Sequence, residues 1–303
     1  LGKITACAGR VTGMEQQDIL SMTLPELQAA VQELGEPKFR AKQIFNWLHQ
    51  KRVTDFSEMT TLSLPFRERL ASDFCINRLK IAKRLASSVD DTVKYLYELP
   101  DGNYVETVCM QYHHGTSLCI STQVGCRMGC RFCASAIAGF VRNLTPAEML
   151  LQIYETERAQ NCKISSLVLM GIGEPLDNFD NVLRFLQLLS DPNGYGMSLR
   201  HVTVSTCGVV PKILELAEQR LGLTLSVSLH CPNDAGRSAI MPINRSYPID
   251  VLLDACQTYF EKTGRRVTFE YAVMEQVNSA EQDAAALAER LKGLHAHVNL
   301  IPI

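Results

Sequence analysis

Apolar residues recur at helical spacing through the first part of the chain. Leu24 to Leu34, "LPELQAAVQEL", carries them on one stripe and stops at Gly35, a C-terminal helix signal. A second helix is predicted from Lys38 through "FRAKQIFNWLHQ", with Phe39, Ile44, Phe45, Trp47 and Leu48 on the buried stripe. Lys38, Arg40, Lys42, Lys51 and Arg52 line the remainder or follow it. A third short helix begins near Pro65. Together these predict a helical accessory domain over residues 1–80. Its basic residues suit a solvated helix face, with RNA contact as the alternative.

The period then changes to two. "TVKYLYELPDGNYVETVCM" reads as two alternating strands joined by Pro100-Asp101-Gly102, a hairpin signal, and predicts a linker over 81–112. From Thr116 onward short apolar runs alternate with helical segments. Strands are predicted at Ser117 to Thr122, Ser165 to Met170, His201 to Thr206, Leu223 to Leu229, Arg266 to Val273 and His297 to Ile301. Helices are predicted to start near Thr145, Asn178, Val209, Pro248 and Ser279. Strand, helix, strand connections imply a parallel sheet, since such crossovers are right-handed. Residues 113–303 are thus α/β, either an open doubly wound sheet or a partial (β/α)6 barrel. Both put the C-terminal strand ends on one rim.

Composition narrows the setting. At 303 residues and 46% hydrophobic content the chain can bury a large core. No run of about eighteen apolar residues could span a bilayer, and the first thirty residues lack the pattern of a secretory signal, so a cytoplasmic location is expected. Eleven cysteines, an odd number, are expected to be free, metal-bound or catalytic there rather than paired in a disulfide framework. The net charge of −2 does not advertise a nucleic-acid binder, although residues 1–90 carry +3 against −5 for the remainder.

Four of the cysteines lie in "CISTQVGCRMGCRFCAS". Cys126, Cys130 and Cys133 have the spacing C-x3-C-x2-C directly after a predicted strand. Three thiolates on one short loop can converge on zinc or on an iron–sulfur centre. A fourth position would go to another protein ligand in a structural site, or to a substrate in a catalytic one. Arg127 and Arg131 could offset the charge, or be plain exposed loop residues. The second strand of the series ends in "GIGEPLDN". Leu176 stands where a dinucleotide fingerprint needs its third glycine, which excludes that reading. Gly171 and Gly173 still allow a ligand close to the backbone, and Glu174 could accept from a cationic amine. A tight turn with Pro175 opening a helix accounts for the same residues. Ser205, Ser228 and His230 end the next two strands, where hydroxyls and a carboxylate would need partners; His230 equally suits a satisfied structural histidine.

"CRMGCRFC", with its aromatic residue before the last cysteine, resembles the cluster motif of radical S-adenosylmethionine enzymes. With "VETV", "SLCISTQVGCRMGCRFCASAIAGFVRNLTPAEML", "LMGIGEPLDNFDNV", "VTVSTCGVVP", "SLHCPNDAGRSAIMPINR" and "NLIPI", the chain resembles the RlmN/Cfr family of RNA adenosine methyltransferases, on the RlmN side. The resemblance runs from "FRAKQIFNWLH" to the last residue.

That resemblance implies a partial radical-enzyme barrel in which Cys126, Cys130 and Cys133 hold one 4Fe-4S cluster, its open iron chelated by S-adenosylmethionine. Gly173, Glu174, Ser205, Ser228, Leu229 and His230 match its cofactor-binding positions. It implies methylation of carbon 2 of an adenosine in 23S rRNA and, in some members, in tRNA, with an electron donor such as flavodoxin or ferredoxin and no membrane partner. That carbon is electron-poor and its hydrogen is not acidic, so acid–base help would not suffice and a radical is needed. In the family a cysteine near the C-terminus carries the methyl group, and a carbon radical formed from it adds to the base. Cys119 matches the resolving cysteine, which releases product by forming a disulfide; alone it would read as a small buried hydrophobe. Glu106 matches the proton acceptor; alone it would read as an exposed hairpin residue. The carrier cysteine and a cofactor-contacting asparagine should follow Ile303. None of Cys109, Cys162, Cys207, Cys231 or Cys256 aligns with the carrier, so the chain as given is expected to bind cluster and cofactor without methylating. Two other readings stay open. One is a radical enzyme for a peptide or small molecule. The other is a zinc-stapled RNA-binding module with His113 or His114 as a further ligand.

Overall fold

The computed structural model of the protein describes residues 16–137 and 139–303. The first fifteen residues of the predicted helical domain lie outside the described residues. Two compact units emerge. One combines the described residues up to Ile120 with Leu144–Ser165 and Asp180–Ser198; the other combines the described residues of Ser121–Asn143 with Ser166–Phe179 and Leu199–Ile303.

The first unit opens with the two-residue strands β1 (Gln17–Asp18) and β2 (Phe74–Cys75), which pair in parallel. Between them lie helices α1 (Leu24–Glu33), α2 (Phe39–His49) and α3 (Leu64–Asp73), each within two residues of its predicted start. The apolar stripes are buried as the spacing required: Leu27 and Val31 in α1, Ile44, Phe45 and Leu48 in α2, Phe66 and Leu70 in α3. Phe39, assigned to the stripe, is exposed instead; it is the first residue of α2, where the chain enters the helix.

Strands β3 (Lys80–Ala86), β4 (Val93–Glu98), β5 (Tyr104–Tyr112) and β6 (Gly115–Cys119) form an antiparallel series. The hairpin between β4 and β5 turns where Pro100-Asp101-Gly102 predicts it, with Gly102 at φ +83° and the Leu99 N–H donating to Asn103 O at 2.8 Å. Its alternation is real: Tyr95, Tyr97, Val105, Thr107 and Cys109 point inward. Helix α4 (Pro146–Gln160) starts at a capping box, Thr145 Oγ1 accepting from Glu148 N and Glu148 Oε2 from Thr145 N. It is buried from Pro146 through Glu157. Helix α5 (Phe179–Ser190) has its residues from Asp180 onward in the same unit.

In the second unit β7 (Gln123–Gly125) and β8 (Phe140–Asn143) form a short antiparallel ribbon. Then come β9 (Ile164–Leu169), β10 (Val202–Thr206), β11 (Thr224–Ser228), β12 (Val267–Val273) and β13 (Ala296–Pro302). Each of these five strands pairs in parallel with the next. Helices α6 (Val210–Glu218), α7 (Asp234–Ile240), α8 (Ile249–Thr263) and α9 (Glu281–Leu291) separate β10 through β13. The succession is α/β and accords with the predicted partial barrel, every strand beginning within two residues of its predicted start. The strand expected to open that barrel, Ser117 to Thr122, is β6, and it stops at Cys119. The cysteine loop therefore does not follow it directly; it grows out of the β7–β8 ribbon.

Candidate active site

The cysteine loop is closed at its base by a glycine contact. Gly125 sits at φ +72°, and a Cβ there would lie 1.7 Å from Gly139 O, so only glycine lets the two limbs meet. Cys126 N then donates to Gly139 O at 3.0 Å. Farther along, Cys133 N donates to Cys130 O at 3.1 Å and Arg131 N to Ile240 O, the last residue of α7, at 2.9 Å. Arg127 is not a loose loop residue: its Nε reaches Asp177 Oδ2 at 2.9 Å and its guanidinium stacks on Phe140. Arg131 is exposed.

The turn after β9 is tied to this ribbon by one side chain that the sequence did not single out. Gln123 accepts from Glu174 N at 2.8 Å and donates to both Asn143 Oδ1 and Asp177 Oδ2 at 2.8 Å. Its own N–H and that of Thr122 donate to Ile172 O. The approach is so close that Gly173, at φ +109°, has no room for a Cβ, which would fall 2.6 Å from Gln123 Cβ. Glu174 is buried, with Oε1 accepting from Leu176 N at 3.0 Å and Oε2 from Cys207 N at 2.8 Å. It is thus the N-cap of the turn that leads into α5, and the side chains of Cys207 and Thr206 also hydrogen-bond to it. Burial pushes its pKa above the usual carboxylate range against the pull of those N–H groups.

Cys126, Cys130, Cys133, Glu174, Ser205, Ser228 and His230 line one cavity of about 260 Å³, together with Gly173, Phe132 and Glu270. His230 holds a left-handed backbone at φ +56°, uncommon for a residue with a side chain and frequent at functional sites. Its Nδ1 accepts from Ala272 N at 2.9 Å. The neutral ring therefore carries its proton on Nε2. Burial, with Arg237 adding to it, lowers the His230 pKa to about 4, so the ring is neutral at physiological pH. Phe132, the aromatic before the last cysteine, stands edge-on to it with centroids 4.8 Å apart. Leu229 is buried, and its carbonyl is taken by Arg237 Nε. Glu270, unsuspected from sequence, lines the same cavity, with Ser226 Oγ donating to it at 2.6 Å and Asn299 Nδ2 at 2.7 Å.

Burial first, then Cys133 and Cys126, push the Cys130 thiol up to about 12. Burial also raises that of Cys126, with Glu174 and Cys133 adding to the effect. A cationic centre would reverse this by binding the thiolates. Among the described residues no three His, Cys, Asp or Glu side chains close on a single point. His113 and His114 follow β5 in the first unit, His114 stacked on Tyr112, and supply no ligand to such a point.

Glu106 and Cys119 belong to the first unit. Cys119 is opposite Val108 in register, and Val108 is two residues from Glu106, so the two share a sheet face one diagonal apart. Glu106 Oε1 pairs with Lys94 Nζ at 2.8 Å. Cys109, Cys126, Cys130, Cys133, Cys162, Cys207, Cys231 and Cys256 are all thiols. A larger cavity of about 550 Å³ in the first unit is lined by Lys51, which sits over the Trp47 ring, and by Arg52, Arg78 and Arg158, which pair with Glu157 and Glu155.

A thiol-bearing loop beside a glycine–glutamate turn, on the rim of parallel strands, defines a class. Residues 120–288 match the radical SAM superfamily, to which the chain belongs. Residues 17–76 match the ribosomal RNA large subunit methyltransferase N-terminal domain. A relative from Lachnoclostridium phytofermentans, called a probable dual-specificity RNA methyltransferase RlmN, is 51% identical over 95% of this chain and 81% of its own length. One of the same description from Clostridium novyi is 47% identical over 95% of this chain and 84% of its own length. The crystal structure of a radical SAM methyltransferase from Sphaerobacter thermophilus superposes with a TM-score of 0.89 at 40% identity, covering 93% of this chain and 84% of that one. The chain is a member of the RlmN family, an enzyme of the radical S-adenosylmethionine methyltransferase class.

Proposed function

We propose that the protein methylates carbon 2 of an adenosine in 23S rRNA, and of an adenosine in tRNA, through a methyl-cysteine carrier. The carrying observation is that Cys126, Cys130 and Cys133 share one cavity with Gly173, Glu174, Ser205, Ser228 and His230. In this reading the three cysteines hold a 4Fe-4S cluster. When bound, the cluster and S-adenosylmethionine supply hydrogen-abstracting radical chemistry, which an electron-poor, non-acidic C–H bond requires.

The chain's own residues bind, orient and move protons. Gly173 lets the cofactor approach the backbone, and Glu174 accepts from its ammonium group. Ser205 and Ser228 meet its ribose hydroxyls. Leu229 packs beside them, and His230 donates its Nε2 proton to the carboxylate. Glu106, ion-paired with Lys94, takes the carbon-2 proton. Cys119, on the same sheet face, attacks the carrier sulfur as a thiolate; the sulfur–sulfur bond forms as the sulfur–carbon bond to the RNA breaks, and the released carbon keeps that electron pair and takes a proton to become the methyl group. Helices α1 to α3 hold the RNA backbone, through residues such as Lys38 and Lys42, which are exposed on α2 and its approach. An adenine leaves its stack to reach the cavity. An external donor such as flavodoxin or ferredoxin delivers the electron, in the cytoplasm. Among the described residues no helix is long and apolar enough to cross a membrane.

The match of residues 17–76 to an rRNA methyltransferase domain favours RNA over a peptide or small molecule as substrate. Nucleoside mass spectrometry is the test. Expressing the gene together with the carrier-cysteine segment expected after Ile303, in a bacterium deleted for its own enzyme of this family, should restore 2-methyladenosine to 23S rRNA and tRNA. Restored cluster chemistry with no methylated adenosine in either RNA would overturn the substrate assignment.

A further inference from the structure

The protein buries a full positive charge next to the cavity. Arg237, in α7, has no exposed surface and ranks first by size among the fully buried side chains. Arginine is seldom buried so completely without a carboxylate. Here its guanidinium is held by neutral acceptors: Nη2 donates to Cys207 O at 2.7 Å and Ser228 O at 3.0 Å, Nε to Leu229 O at 3.2 Å, and Nη1 to Asn244 Oδ1 at 2.9 Å. Among the described residues no carboxylate is ion-paired with it; the groups that face its charge are the thiols of Cys207, Cys130 and Cys231 and the carboxylate of Asp234.

Two consequences follow from these partners. Carbonyl dipoles solvate a cation without neutralising it, so the charge remains costly until an anion arrives. The carbonyls also belong to the rim itself. Cys207 follows β10 and is held from both sides, its O by Arg237 and its N–H donating to Glu174 Oε2. Ser228 ends β11 and Leu229 follows it, leading directly into the strained His230. Gly208 confirms how tightly the guanidinium is packed: a Cβ there would meet Arg237 Nη2 at 3.3 Å and Leu252 at 3.2 Å. The same helix touches the cysteine loop, where Arg131 N donates to Ile240 O.

Resting on the proposed function, we infer that Arg237 is the buried counter-charge of the iron–sulfur site and a positioning residue for its cofactor. Its planar fork sets the Cys207, Ser228 and Leu229 carbonyls, and so the groups the cofactor meets, while its charge faces Cys130 and offsets part of the negative charge of the thiolates and of the electron that the cluster accepts.

Anaerobically reconstituted wild type, R237Q and R237K separate these roles through EPR-monitored redox titration and S-adenosylmethionine affinity. R237Q should reduce at lower potential, with at least a tenfold loss in the reduced-to-oxidised ratio at fixed potential, about 59 mV for a one-electron couple. R237K should keep a potential near wild type yet bind the cofactor at least tenfold more weakly, because an ammonium cannot bridge the carbonyls as a fork does. A merely structural arginine would not move the potential. Wild-type potential in R237Q, or wild-type affinity in R237K, overturns the inference. If R237Q fails to fold or to take up iron, R237K decides: weakened affinity at wild-type potential supports it and unchanged affinity overturns it. A wild-type protein without any iron centre overturns the proposed function itself, a distinct outcome from an intact centre indifferent to residue 237.

Discussion

Replacing Gly173 by alanine should damage the site through backbone contact alone. At φ +109° a side chain is disfavoured on its own, by about 1–3 kcal/mol. The new Cβ would also lie 2.6–2.8 Å from Gln123 Cβ, Cγ and N, a strand N–H and the root of a side chain held by hydrogen bonds to Glu174, Asn143 and Asp177, so neither can swing away. Relief requires the turn after β9 to part from β7, weakening the bonds from Thr122 N and Gln123 N to Ile172 O, each worth about 0.5–1.5 kcal/mol net. The sum is roughly 2–6 kcal/mol, or a fall in Tm of at least about 4 °C at 2–4 °C per kcal/mol. Gly102→Ala is the matched control, since that residue also has positive φ, +83°, but nothing within 4 Å of a Cβ. It should lose only the backbone contribution. Differential scanning calorimetry of both variants, with cofactor titration of the reconstituted proteins, makes the comparison. Gly173→Ala should melt well below Gly102→Ala and bind S-adenosylmethionine at least tenfold more weakly. Equal melting and unchanged affinity would refute the close-approach argument.

Two further outcomes are expected. Burial, with the charge of Glu148 adding to it, raises the Asp18 carboxyl to about 6 despite bonds from Leu20 N and Asn77; the folded chain then holds a proton that the unfolded chain releases above the ordinary 3.8, so this group favours folding at low pH and loses about 3 kcal/mol of that contribution as pH rises from about 4 to 6. Asp18→Asn should flatten this slope in urea denaturation, and wild-type and variant curves running parallel through that window would contradict it. Reversing Lys38 and Lys42 to glutamate should reduce the slope of log affinity for RNA against log salt by at least about two; an unchanged slope would remove these residues from the RNA contact.

The parallel strands were legible because each is an apolar run bounded by helical spacing; Arg266 to Val273 differs from β12 (Val267–Val273) by one residue. Strand β3 was not, since all seven of its positions are exposed and leave no buried face to imprint a pattern on "KIAKRLA". The ribbon of β7 and β8, three and four residues long, is too short to display a period. Within the site, the three cysteines and Gly173-Glu174 could be read because their chemistry depends on local spacing. Gln123, Arg237 and Glu270 could not. Their roles come from partners far apart in sequence, Gln123 to Glu174 and Arg237 to Cys207 among them, and a lone glutamine, arginine or glutamate ordinarily reads as surface.

Iron and sulfide analysis of the anaerobically prepared protein, followed by EPR of its reduced form with and without S-adenosylmethionine, bears most directly on the central claim. Four irons and four sulfides per chain, with a spectrum that changes when the cofactor is added, are predicted. Stoichiometric zinc without sulfide, or an iron centre whose spectrum ignores the cofactor, would contradict the account.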